Sequence, residues 1–220
     1  CMQSAEVSSV AAGGALAVDR EKFSKFITES ILSDENITVK CETVSEIPTD
    51  CVTIIATGPL TDKALALNIE KLCDCGSLSF YDAAAPIVTK ESIDMSKAFF
   101  ASRYDREESG QGDYINCPMN KEDYERFYSE LISAEVAPLK DFDKPFKVYE
   151  GCMPVEVLAK RGEDSIRFGP LKPVGLRDPR TGHRPWAAVQ LRKENSKGTL
   201  YNIVGFQTNL KFPEQKRVFS

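Results

Sequence analysis

Residues 52–61 read VTIIATGPLT. Five residues without a charge, Val52 to Ala56, predict a strand covered on both faces, because a strand with one wet face alternates apolar and polar side chains. Thr57-Gly58-Pro59 ends the run, and a helix is expected to start near Thr61. A strand–Ala-Thr-Gly–helix junction brings backbone N–H groups close to a phosphate or a ring system. Any α/β protein can carry one, however, and no G-x-G-x-x-G stretch stands in the chain, so it shows no dinucleotide cradle of its own.

Outward from this junction the pattern stays α/β. Upstream, Asp19 is placed to cap a helix running to about Ser33, with Phe23, Phe26, Ile27 and Ile31 on one face. Ile37, Val39 and Cys41 alternate as a strand does. Downstream, strands are expected at Leu78–Tyr81, Ala98–Ser102 and Asp113–Cys117, with Arg103–Gly112 as a loop. Asn120 caps the plainest helix of the chain, where Tyr124, Phe127, Tyr128, Leu131 and Ile132 make an apolar stripe. A strand at Phe146–Glu150 leads into a brief helix that opens at Pro154 and closes at Gly162. Ser165–Phe168 is expected as a short strand. Residues 169–176, with two prolines and two glycines, form an irregular loop, and Asp178–Gly182 a turn. Trp186–Lys193 and Thr199–Phe206 pair as a hairpin, and a last helix begins at Pro213.

At 220 residues, 42% hydrophobic and 28% charged, the chain can bury a sizeable core. No apolar run of membrane-spanning length occurs and residues 1–20 lack a signal-peptide pattern, which points to the cytoplasm. The seven cysteines are irregularly spaced and there is one histidine, so no zinc constellation can be assembled and reduced thiols are expected. Cys73 and Cys75 are the only close pair, and nothing is assigned to them. Residues 151–220 carry 13 Lys and Arg against 6 Asp and Glu, whereas the rest is acidic. A polyanion would therefore meet the C-terminal third, unless the excess is simply a solvated face.

Two cysteines have settings worth weighing. Cys152 sits just ahead of an expected helix N-terminus, where open N–H groups and the helix dipole favour a thiolate over a thiol of pKa about 8.5. The plainer reading is a small buried hydrophobe. Cys117 falls in an expected strand, which favours packing. A stand-alone Cys/His hydrolase would need His183 as base, and that residue lies in a Gly/Pro turn.

The stretches GGALAVDREKF (13–23), IIATGPLT (54–61), FYDAAAPIV (80–88), SRYD (102–105), INCPM (115–119), EGCMPVEVLAKRG (150–162), RFGPLKPVGLRDPRTGHRP (167–185), AVQLR (188–192) and GTLYNIVGFQTNLKFPEQKRVF (198–219) together resemble the folate- and FAD-dependent tRNA (uracil-5-)-methyltransferase family. That family is related to the glucose-inhibited-division-type flavoproteins. The resemblance implies an α/β fold in which residues 1–59 are part of a flavoprotein dinucleotide-binding domain. Residues 60–220 would be an inserted α+β domain with mixed or antiparallel strands, facing tRNA and bearing the reactive cysteine.

It further implies formation of 5-methyluridine in the T-loop, with methylenetetrahydrofolate as one-carbon donor, FAD as redox cofactor and NAD(P)H as reductant. Cys152, in the motif EGCMP, would be the catalytic thiol, with Cys117 as runner-up. Ala56, Thr57, Gly58 and Arg20 would lie at the edge of the flavin site. The basic residues Arg161, Arg167, Lys172, Arg180 and Arg192 are expected to face RNA. The family's Gly-rich FAD fingerprint, a second cysteine motif and the C-terminal segment completing the cofactor sites are not among these residues, which implies a part of a longer enzyme. The alternative is a non-catalytic RNA-binding module of the same descent.

Overall fold

The computed structural model describes residues 1–12, 15–58, 61–74, 84–105, 112–138 and 153–220. The expected strands at Leu78–Tyr81 and Phe146–Glu150 lie outside the described residues. Two short elements open the chain, α1 (Met2–Val7) and a two-stranded ribbon of β1 (Ser9–Val10) and β2 (Ala17–Val18), which pair antiparallel. Helix α2 (Arg20–Leu32) forms as expected: the Asp19 carboxylate accepts the Lys22 N–H at 3.2 Å and so satisfies one of the donors a helix start leaves open. Helix α3 (Lys63–Cys73) is capped in the same way by Asp62.

The segment between these helices departs from its pattern. Ile37, Val39 and Cys41 form no strand, and Val52–Ala56, expected to be covered on both faces, is exposed irregular chain. The apolar run states what the segment needs. A strand forms only where neighbours complete its backbone hydrogen bonds, and the described residues supply none here.

The second half is organised by one antiparallel sheet. Its strands are β3 (Ile87–Thr89), β4 (Phe99–Ala101), β5 (Tyr114–Met119), β6 (Ala187–Lys193) and β7 (Leu200–Ile203), in the spatial order β3-β7-β6-β5-β4. The long central pair, β5 and β6, is joined through six facing residue pairs from Tyr114↔Arg192 to Met119↔Ala187. Because side chains alternate, this register separates two faces. Ile115, Cys117, Val189, Leu191, Tyr201 and Ile203 point to the core. Asn116, Gln190 and Arg192 point the other way.

Helices close the apolar face. In α4 (Lys121–Ser133) the expected stripe delivers Tyr124 and Leu131 to the core, and Asn120 caps the helix by accepting the Asp123 N–H at 2.8 Å. Short helices α5 (Val155–Ala159) and α6 (Ser165–Phe168) and the C-terminal α7 (Phe212–Val218) complete the cover. Ser165–Phe168 is thus helical, not the expected strand. Four residues are too few for alternation to tell the two apart, and local bonds decide: the Phe168 N–H donates to Asp164 O at 3.0 Å. The second hairpin strand stops at Ile203 instead of reaching Phe206. Gly205, at φ +76°, turns the chain, and a Cβ there would lie 2.6 Å from that of Pro170.

The opening elements are tied to the tip of the β6–β7 hairpin. The second Asp19 oxygen accepts from both the N–H and the hydroxyl of Ser196, at 3.0 and 3.1 Å, and Arg20 pairs with Glu194 at 2.5 Å. The Tyr114 hydroxyl adds a bond to Ala12 O at 2.8 Å.

Candidate functional site

Cys152 lies outside the described residues, and the structure bears on it only through its C-terminal neighbours. Met153, Pro154 and Val155 are buried. Pro154 is the N-cap of α5 instead of its first residue, and the Val155 N–H already donates to Gln207 O at 2.8 Å. A five-residue helix with one leading donor engaged offers a preceding thiolate less than a long, open helix start would.

One residue near Cys152 is not singled out by the sequence. Glu156 is buried, and its two carboxylate oxygens accept from the Thr208 hydroxyl and the Asn209 N–H, both at 2.8 Å. It thereby fixes residues 207–210 against the start of α5. The available signal is a lone acid inside the apolar run PVEVLA, where an exposed position is the natural reading.

The second candidate thiol, Cys117, stands on β5 with its side chain toward a groove of about 650 Å³. Val88, Ile93, Phe127, Phe206 and Phe219 line this groove with it. Burial pushes the Cys117 thiol up to about 11, so it is protonated at neutral pH and a poor nucleophile. His183 is exposed in its turn, where its carbonyl accepts the Asp178 N–H.

On the polar face of the sheet, SRYD, AVQLR, INCPM and the 169–176 loop meet. Arg103, from SRYD, donates to Gln190 Oε1 at 2.9 Å and to Val174 O at 2.7 Å. Gln190, from AVQLR, donates onward to Asn116 Oδ1 of INCPM at 2.9 Å. Val174 belongs to the 169–176 loop, which the Tyr104 N–H also grips through Gly175 O at 3.1 Å. A Cβ on Gly175 would come within 3.1 Å of the Tyr104 ring, so the loop and SRYD are fitted to each other only with glycine there. The network holds an irregular loop rigidly over the sheet.

The five expected RNA-facing cations have different surroundings. Arg167 stacks on Trp186, its Cζ 3.7 Å from the ring centroid, at the start of β6. Arg192 is at the other end of that strand, ~20 Å away at the usual rise per residue. It is half-buried, and its Nε is enclosed without an acceptor. Arg180 is consumed within the fold: it chelates Asp178 through two bonds, at 3.1 and 2.9 Å, and reaches Ser96 O at 2.9 Å. Those bonds hold the Asp178 carboxyl below its usual range. Lys172 and Arg161 are exposed.

The residues expected at a flavin edge have local partners only in part. Ala56, Thr57 and Gly58 lie in exposed chain, joined locally by Thr57 Oγ1 to Thr61 Oγ1 at 2.6 Å and Thr61 Oγ1 to Gly58 O at 2.7 Å. A Cβ on Gly58 would meet nothing within 4 Å. Arg20 points to Glu194 on the hairpin. These four residues do not build a cradle that fits FAD. Among the described residues no helix is long and apolar enough to cross a membrane.

The whole chain, residues 1–220, matches the family model described as glucose inhibited division protein A. It is 62% identical over 218 residues to the methylenetetrahydrofolate–tRNA-(uracil-5-)-methyltransferase TrmFO of Acetivibrio thermocellus, covering 99% of this chain and 49% of that protein. Proteins of the same name from Caldicellulosiruptor bescii and Lactobacillus helveticus are 59% and 58% identical, with 49% and 53% of their lengths covered. The chain therefore spans about half the length of the curated relatives it matches.

Proposed function

The chain belongs to the glucose inhibited division protein A family, and on that premise we propose that it is part of a methyltransferase that converts a T-loop uridine of tRNA to 5-methyluridine. The observation that carries this reading is the 62% identity, over 99% of the chain, to a protein named for that reaction. The complete enzyme would use methylenetetrahydrofolate and FAD, with NAD(P)H as reductant. The described residues Ala56, Thr57, Gly58 and Arg20 make no flavin cradle by themselves.

The part this chain plays is binding RNA and supplying the thiol. A uracil C5 is a weak nucleophile until a thiolate adds at C6. The C5–C6 π electrons then move to C5 and O4, making an enolate that can take up a one-carbon unit. Loss of the C5 proton and release of the folate nitrogen from the new carbon follow. A hydride equivalent that reduced flavin would supply makes that carbon a methyl group, and departure of the sulfur then restores the ring. Cys152 is the residue assigned this addition. The raised pKa of Cys117 supports the choice, since a thiol of pKa about 11 is scarcely ionised at neutral pH. Glu156, through the Thr208 hydroxyl and the Asn209 N–H, positions the stretch after Cys152.

The reading is tested by supplying the complete enzyme with tRNA and with methylenetetrahydrofolate labelled in the transferred carbon. Label in a T-loop 5-methyluridine is the expected result, and label nowhere in the RNA would end it. The exposed, cradle-free segment around Gly58 favours a second reading, a non-catalytic RNA-binding module. Under that reading the purified complete protein is colourless and leaves the RNA unmethylated.

A further inference from the structure

We propose that Phe168, Arg167 and Trp186 form a stacking platform for an unpaired base of the RNA, an inference that rests on the tRNA reading above and adds where and how a base is gripped. The Arg167 guanidinium lies over two rings, 3.7 Å from the centroid of Trp186 and 5.0 Å from that of Phe168. It is held there: Nε donates to Trp186 O at 3.1 Å, Nη1 lies 3.5 Å from Asp164 Oδ1, and only 16% of the side chain is exposed. Lys121 Nζ stands 5.9 Å from the Trp186 centroid, adding a second cation to the same ring.

Arg167 covers one face of Trp186, and the open aromatic surface is mainly that of Phe168. Phe168 is 66% exposed and Trp186 36%. Phe168 keeps most of its ring in water beside the Arg167 guanidinium at the end of α6. The backbone holds it there. Gly169 turns the chain immediately, with room for no Cβ because Ser165 O would lie 2.9 Å away. Phe168 thus projects from a helix end whose other apolar residue, Ile166, is fully buried.

Exposed aromatic rings with a fixed guanidinium plane beside them are what unstacked nucleobases bind, since every base offers a π face and the neighbouring phosphates need cations. Exposed Lys172 and Arg184 lie close by in the chain, within the basic C-terminal third. A duplex cannot use such a platform, because its bases are already stacked. The ligand is therefore a loop or single-stranded segment.

Trp186 is the only tryptophan in the chain, so its fluorescence reports directly on this site. The full chain is titrated with a short single-stranded oligoribonucleotide and with the corresponding duplex, while dye-labelled tRNA gives affinity independently through anisotropy. The single strand quenches Trp186 and the duplex does not. Phe168→Ala weakens binding of both the single strand and tRNA about tenfold, and Phe168→Tyr restores it. Unchanged affinity in Phe168→Ala, or equal quenching by duplex and single strand, overturns the platform while tRNA binding by the wild type leaves the broader reading intact. A wild-type chain that binds no tRNA overturns both.

Discussion

Residues 33–58 and the five-stranded sheet are made of similar material and have opposite fates. Val52 and Ile54 are 98% and 87% exposed, whereas Ile115 and Leu191 on the central strands are 0% and 4% exposed. Both stretches have the apolar, β-branched texture of strands. What separates them is supply of partners. Each strand from β3 to β7 finds its neighbours between residues 87 and 203, whereas the described residues offer the 52–56 run none. Helices α2 and α3 form on either side of that run all the same, because a helix satisfies its backbone internally and here is capped by its own Asp19 or Asp62. Strand formation is a property of a neighbourhood, and helix formation much more of a segment.

Truncation of the core should separate the two regions most sharply. Ile115→Ala and Leu131→Ala should each cost about 2–5 kcal/mol by lost burial and cavity formation. Val52→Ala and Ile54→Ala should each stay within about 0.5 kcal/mol, as for exposed positions. Urea midpoints measure both, and a large loss at Val52 would show that the run is covered after all.

Glu156→Ala comes next. It leaves the Thr208 hydroxyl and the Asn209 N–H without their acceptor, at about 2 kcal/mol for bonds to a charged group. Glu156→Gln should recover part of this, and hydrogen exchange at the Asn209 amide is the local readout.

The smallest effect is one of pH. Hydrogen bonds from the Ser196 and Lys22 backbone hold the Asp19 carboxyl below its ordinary value. Its folded pKa therefore lies under its unfolded one. The contribution is complete above the unfolded value of about 4 and is lost as pH falls through the folded one. Acid should loosen the tie between the opening elements and the hairpin, and Asp19→Asn should remove that pH dependence.

Much of the second half was legible in the sequence. The α4 stripe with its Asn120 cap, the β6–β7 hairpin and β5 all came from periodicity and turn residues. The misses share a cause. Periodicity named the needs of 37–41 and 52–56 but not their partners, and Ser165–Phe168 was too short for any period to register. The site was legible mainly by resemblance. The Arg103–Gln190–Asn116 chain joins residues 87 and 74 positions apart, which no local pattern reveals. Phe168 and Trp186 were hidden because exposure cannot be read from residue type.

If Cys152 and not Cys117 is the thiol that adds to uracil, as proposed above, the covalent adduct must depend on Cys152 alone. The complete enzyme is given tRNA carrying 5-fluorouridine at the target position, where fluorine cannot leave as a proton does and the covalent adduct persists. Denaturing gels should show the adduct for wild type and for Cys117→Ala and none for Cys152→Ala, with tRNA affinity nearly unchanged throughout. An adduct that survives Cys152→Ala and vanishes in Cys117→Ala would contradict the account.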